Sequence, residues 1–86
     1  MSGLEQANGS RTINVYPNPV SNELTIEMEG NKSKINFEVL TAMGQVLLKG
    51  TFVEKTTVHT GNFAPGIYIV KLETGKIVEF KKIIKE

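Results

Sequence analysis

APGIYIVKLETGKIVEFKKIIK, residues 64–85, decides how this chain folds. After the Pro65–Gly66 step, apolar and β-branched residues run from 67 to 74. Gly75 breaks the run, and residues 76–85 resume it, ending in paired lysines and paired isoleucines. That pattern predicts the two strands of a closing hairpin. Residues 67–72 are apolar at nearly every position. The first of the two strands is therefore expected to be central, covered on both faces or partly covered by another chain. The hairpin carries no nucleophile with a base and no metal-ligand set. A function carried here is one of being recognised.

Upstream, the same period of two recurs in shorter pieces. Residues 12–16, TINVY, alternate Ile13 and Val15 on one face. Pro17-Asn18-Pro19 removes two donors, so the strand stops or runs along an edge; Asn18 is expected to cap its own backbone in a turn. Residues 23–29, ELTIEME, set Leu24, Ile26 and Met28 against Glu23, Thr25, Glu27 and Glu29. Gly30-Asn31 turns the chain. Residues 34–40 place Ile35, Phe37 and Val39 inward. Gly44 supplies a positive φ to the turn after Ala42. Residues 45–52 form a strand with Val46 and Leu48 as its core pair and Gly50 as a bulge. Residues 55–60 are a short β-branched strand, and Phe80 joins Phe37 in the core.

Seven short strands with a turn signal at nearly every gap, and no helical period, predict an all-β fold: a seven-stranded antiparallel immunoglobulin-like β-sandwich. The Cys–Trp–Cys mark of antibody domains is absent, so the likeness is one of architecture. The 86 residues suit one small domain, over 13–86. Residues 1–12 read as a flexible linker or as an expression remnant.

Composition narrows the function. A net charge of +1 implies no bulk attraction to nucleic acid or to an anionic membrane. With no cysteine there is neither a disulfide framework nor a thiolate metal site. Every acidic residue is a glutamate, which argues against compact calcium loops. No apolar run approaches the roughly 20 residues of a bilayer span, and residues 1–11 lack the apolar core of a signal peptide. No cofactor is implied. His59 is the only histidine, with no Asp or Cys to partner it, and reads as a strand-end surface residue. Glu27 and Glu29 share a polar strand face rather than flanking a cleft. The glycines are isolated breaks, not a phosphate cradle. Lys71, Lys76, Lys81, Lys82 and Lys85 read either as edge protection or as a docking strip for a receptor or anionic glycan. Tyr68 packs in the core or bonds back across the loop before it.

Three motifs, in order, carry a resemblance. Tyr16-Pro17-Asn18-Pro19 is followed by Val20 and Asn22. Thr41 to Gly44 is followed by Gln45-Val46. Gly66-x-Tyr68 with Lys71 is followed by Lys81-Lys82-Ile83-Ile84-Lys85. Over about residues 13–85 the chain resembles the type A C-terminal sorting domain of proteins exported by the type IX secretion system of the Bacteroidetes. It departs in having Thr41 where Asp or Asn is commoner, Phe63-Ala64-Pro65 where Leu-Pro-Ala is usual, and Glu86 after the last lysine.

The resemblance implies a non-catalytic signal domain at the end of a larger cargo protein. Its partners would be the N-terminal cargo, the translocon and its shuttle components, and a surface sortase that cuts in the linker. The cargo would pass through the periplasm to the cell surface or medium. Pro17, Asn18, Pro19, Gly44, Gly66, Tyr68, Lys71, Lys81, Lys82 and Lys85 are the expected recognition residues. The rival is an adhesive or carbohydrate-binding module, for which the absence of Trp leaves a poor stacking platform. A strand-swapped dimer is a further expectation, since a long apolar strand with an open edge exchanges readily.

Overall fold

The computed structural model describes residues 13–86. Thr12, expected in the first strand, and the linker over 1–12 lie outside the described residues. Seven strands follow one another: β1 (Asn14–Tyr16), β2 (Glu23–Glu27), β3 (Ile35–Thr41), β4 (Val46–Phe52), β5 (Lys55–His59), β6 (Gly66–Thr74) and β7 (Ile77–Lys85). They form two antiparallel sheets. One has three strands in the order β1-β2-β5, the other four in the order β4-β3-β6-β7. Every strand expected from the sequence is present.

One core lies between the sheets. Leu24, Ile26 and Val58 enter it from the three-stranded sheet, and Ile35, Val39, Val70, Leu72 and Ile83 from the four-stranded one. Ile13 is buried, with Val15 and Met28 packed alongside, as their alternation predicts. Each fully buried Leu or Ile contributes about 1.5–3 kcal/mol of transfer free energy, so this short row of aliphatics is the main source of cohesion.

Four expectations need correction. β6 is central, but within the chain it is covered on one face and not on both: Tyr68, Val70 and Leu72 are buried while Ile67 is 48 % exposed and Ile69 half-buried. Val46 is 46 % exposed rather than core. The cause is the position of the bulge. Val39 pairs with Leu48 and Leu40 pairs with Val46, so Leu47 is the extra residue. That insertion reverses the parity of β4 and turns Val46 to the outer face beside Leu40. Gly50 is not the bulge; it pairs in register with Phe37. Phe80 is 64 % exposed. It pairs with Lys71, on the face opposite Val70 and Leu72.

Gly50 serves packing instead. A Cβ there would meet Cε1 of Phe37 at 3.0 Å and Cζ at 3.1 Å. The Phe37 ring lies over this gap, edge-on to Phe52 with centroids 5.9 Å apart. Gly50→Val is expected to destabilise by about 1–3 kcal/mol in urea unfolding, the usual cost of overpacking. Combined with Phe37→Leu it should cost less than the sum of the two single changes, because one substitution vacates the space the other fills.

Candidate functional site

Among the described residues no group of three or more His, Cys, Asp or Glu side chains comes together, and no helix is long and apolar enough to cross a membrane. His59 lies at a strand end, with Nδ1 3.6 Å from Glu23 Oε2 and both side chains largely exposed. Such a solvated pair is worth little. Glu27 accepts a 2.7 Å hydrogen bond from the Tyr16 hydroxyl. These groups lie on the solvated surface.

The motif residues have a sharper geometry. Both Tyr16–Pro17 and Asn18–Pro19 are cis peptides. Asn18 does not cap its own turn. Its Nδ2 donates to the carbonyl of Lys82 at 3.2 Å, and its Oδ1 accepts from the amide of Ile84 at 2.9 Å. The carboxamide thus stands in for one residue of a neighbouring strand. The backbone continues the work: Val20 N donates to Ile84 O at 2.8 Å, and Glu86 N to Val20 O at 2.9 Å. Val20 and Lys85 form a parallel bridge. Residues 17–20 are therefore a strap along the outer edge of β7. Prolines suit it, since they carry no amide that would need a partner.

The other two motifs shape the same end of the sheet. Thr41 closes the β3–β4 turn: its carbonyl accepts from Gly44 N at 2.9 Å, and its hydroxyl accepts from Gln45 N at 3.1 Å. A hydroxyl here supplies the acceptor that an Asp or Asn side chain would. Gly44 has the expected positive φ, at 92°. Tyr68 fulfils both of its readings. It is 7 % exposed, packs on Phe63 with centroids 5.2 Å apart, and donates its hydroxyl to Ala64 O at 2.5 Å. That bond holds the loop before Gly66, whose φ of 151° disfavours any side chain.

The lysines do not form one strip. Lys82 is exposed and pairs with Ile69, and Lys71 pairs with Phe80; both stand on the outer face. Lys81 pairs with Val70 and lies 3.8 Å from Glu79. Lys85 pairs with Gly66, is 9 % exposed, and donates to Glu86 O at 2.9 Å. Lys85 is thus part of the packing. Thr41 pairs with Tyr68, Tyr68 with Ile83, and Gly66 with Lys85. Pro17 to Pro19, Gly44, Gly66, Tyr68, Lys82 and Lys85 therefore gather at one end of the four-stranded sheet, with Lys71 and Lys81 further along it. The sequence reading named Val20 and Ile84 only as motif residues and Phe80 as core; it missed that Val20 is fully buried and that Phe80 and Ile84 face outward. The orientation of Phe80 and Ile84 follows only from the pairing of β7 with β6, and that of Val20 from its bridge to Lys85.

A model of the family described as secretion system C-terminal sorting domain matches residues 14–86. No curated protein matches the chain.

Two predictions follow from this geometry. Asn18→Ala is expected to cost about 1–2 kcal/mol in chemical unfolding, as two hydrogen bonds of roughly 0.5–1.5 kcal/mol each are lost. Amide exchange at Ile84 should quicken in the same variant. If Ile84 exchanges as slowly as before, the carboxamide clamp is wrong. Separately, the bond to the Glu27 carboxylate, then lost hydration, then the charge of Glu27 raise the Tyr16 phenol above its ordinary 10.0. Glu27→Gln should bring that transition down in an ultraviolet titration. Because the folded value is the higher one, the pair's contribution is fully present below the ordinary value and is lost as pH climbs through the raised one.

Proposed function

The chain belongs to the C-terminal sorting domains of type IX secretion, matched over residues 14–86, and we propose that it directs a larger N-terminal cargo across the outer membrane and is then cut from it by a surface sortase. Cleavage falls in the segment before Ile13, after transit of the cargo through the periplasm. The family is a signal family, not an enzyme family, and the domain acts by being bound. The translocon and its shuttle components read the end of the sheet where the three motifs meet. That convergence is the observation that carries the reading. It brings sequence segments some 64–66 residues apart into one surface.

The layering is read as immunoglobulin-like, with three strands facing four. The fourth strand sits beside the third rather than beside the fifth, unlike the seven-stranded constant domain of antibodies. The domain acts as a monomer. The strap closes much of the β7 edge within the same chain, which disfavours exchange of that strand with a second copy.

A reporter fusion tests the reading. Residues 1–86 are placed behind a signal peptide and a fluorescent protein, in a host with type IX secretion. Truncation of residues 81–86 is a poor control, because it removes Ile83 from the core and the bonding partners of Val20. Lys81→Gln with Lys82→Gln leaves the core intact. The unaltered fusion is expected at the surface or in the medium. The double variant should fold by circular dichroism yet export about tenfold less, which corresponds to roughly 1.4 kcal/mol of docking free energy. An unaltered fusion retained in the periplasm refutes the sorting reading, and polysaccharide binding then becomes the question. Normal export of the double variant refutes the part given to the lysines.

A further inference from the structure

The closing strand is amphipathic in the reverse sense. Its inner positions are those paired with buried β6 residues: Lys81 faces Val70, Glu79 faces Leu72, and only Ile83, opposite Tyr68, is a buried aliphatic. Its outer positions are Val78, Phe80, Lys82 and Ile84, and the apolar three are 44 %, 64 % and 43 % exposed. Charge turned inward on an edge strand is a known guard against aggregation. That guard does not explain apolar side chains turned outward. They continue inward along the outer face: Lys82 pairs with Ile69, Ile69 with Leu40, and Leu40 with Val46. Beside this row lies a hollow of about 350 Å³ lined by Leu40, Thr41, Ala42, Gly44, Ile69 and Phe80.

The strand edge next to this face is only partly closed. The strap engages Lys82 O, both backbone groups of Ile84, and Glu86 N. Backbone groups on a strand alternate in direction, so those of Val78 and Phe80 point the same way as those of Ile84. They meet no partner among the described residues. We propose that this open edge and the Phe80–Ile69–Leu40 face together bind an extended segment of another protein, one whose every second residue, on the outward face, is by turns apolar and acidic. Strand addition satisfies the amide and carbonyl groups of Val78 and Phe80. On the outer face the segment's apolar side chains lie against Val78 and Phe80, and the carboxylates two residues on along the same face meet Lys82 and Lys71.

Charge and register select this occupant. A second copy pairing antiparallel through the same edge has two compact registers. Centred on Phe80, it sets Glu79 against Lys81 but drives Val78 against Lys82, whose carbonyl already holds Asn18. Centred on Glu79, it clears the strap but sets two Glu79 side chains directly opposite, which is unfavourable. An anionic lipid surface would suit the lysines yet offers the edge amides no strand. The inference rests on the export reading only for the source of the segment, a component of the export machinery.

The test uses the whole 86-residue chain, isotope-labelled, with two synthetic peptides, one repeating Val-Thr-Glu-Thr and one repeating Val-Thr-Lys-Thr, so that valine and charge share a strand face. The acidic peptide is expected to shift and protect the amides of Val78 and Phe80 and to bind at least about tenfold more tightly than the basic one, as one unit of pKd is tenfold. Lys71→Glu with Lys82→Glu should reverse that preference. Phe80→Pro should abolish binding, since the amide it removes points away from β6. If that variant does not fold, the charge reversal decides. Equal binding of the two peptides, no change at Val78 and Phe80, or shifts at those residues on raising the protein concentration alone would each overturn the proposal. Placed in the reporter fusion, the Lys71→Glu, Lys82→Glu pair should lose export. Normal export of this pair, with the unaltered fusion exported too, overturns the role in export and leaves the sorting reading standing. An unaltered fusion that is not exported defeats the sorting reading, and the peptide titration still decides the edge.

Discussion

One side-chain carboxamide closes the domain on itself. Asn18 reads the backbone of β7 at Lys82 and Ile84, and Val20 pairs with the same strand two residues on. Without that contact the strap would leave the edge, and Val20, which is fully buried, would leave the core. About 1.5–2 kcal/mol of apolar burial goes with a Val of that kind. The chain then leads into β2, and just before it Ser21 O accepts from the buried Thr60 hydroxyl at 3.1 Å and Asn22 O from Thr60 N at 2.8 Å. The strap therefore fixes β7 of one sheet relative to β2 and β5 of the other.

Much of this was legible in the sequence. Period-two alternation located the shorter strands, because a sheet with one covered face writes its orientation into the chain, and apolar or β-branched runs between turn signals located the rest. Ile35, Phe37 and Val39 read correctly for that reason. The failures share a cause: each depends on a partner strand. Val46 looked inward until the bulge at Leu47 reversed the parity of β4. Gly50 looked like the bulge because strand glycines often mark one, whereas here the missing Cβ makes room for the Phe37 ring. Asn18 looked like a local cap because its short side chain so often bonds the next residues. Its actual partner lies beyond any pattern in the local sequence. The motif residues were legible in the sequence, but not as one surface. Only the pairing of Gly66 with Lys85 and of Thr41 with Tyr68 shows that they share an end of the sheet.

A sorting signal does not require a strained backbone or a buried unpaired charge. Nearly all its special geometry instead goes into holding a surface still. Tyr68 fixes the 64–66 loop, Thr41 fixes the 41–45 turn, and Asn18 fixes the strand end. Each does so by bonding to backbone, so the outward side chains remain free for a partner. A sorting signal gains from this independence, since each of these bonds lies within residues 13–86.

The reversed polarity of β7 is the least economical feature of the fold, and it is tolerated for a geometric reason. The four-stranded sheet is one strand wider than the sheet it faces, so the inner side of an outer strand is only partly roofed. Glu79 and Lys81 are half-buried and near each other there, and solvent still reaches both. Turning Val78 and Phe80 inward would bury little for the same reason. The overhang thus lowers the penalty for placing apolar residues outside. It does not favour putting them there, because a lysine or threonine would serve an ordinary surface as well. Placing Phe80 outward beside Ile69, next to the only stretch of β7 edge the strap leaves open, raises the risk of aggregation that Lys82 and the strap otherwise reduce. A feature that works against solubility, confined to one patch and bounded by features that protect it, is what a surface kept for a partner requires.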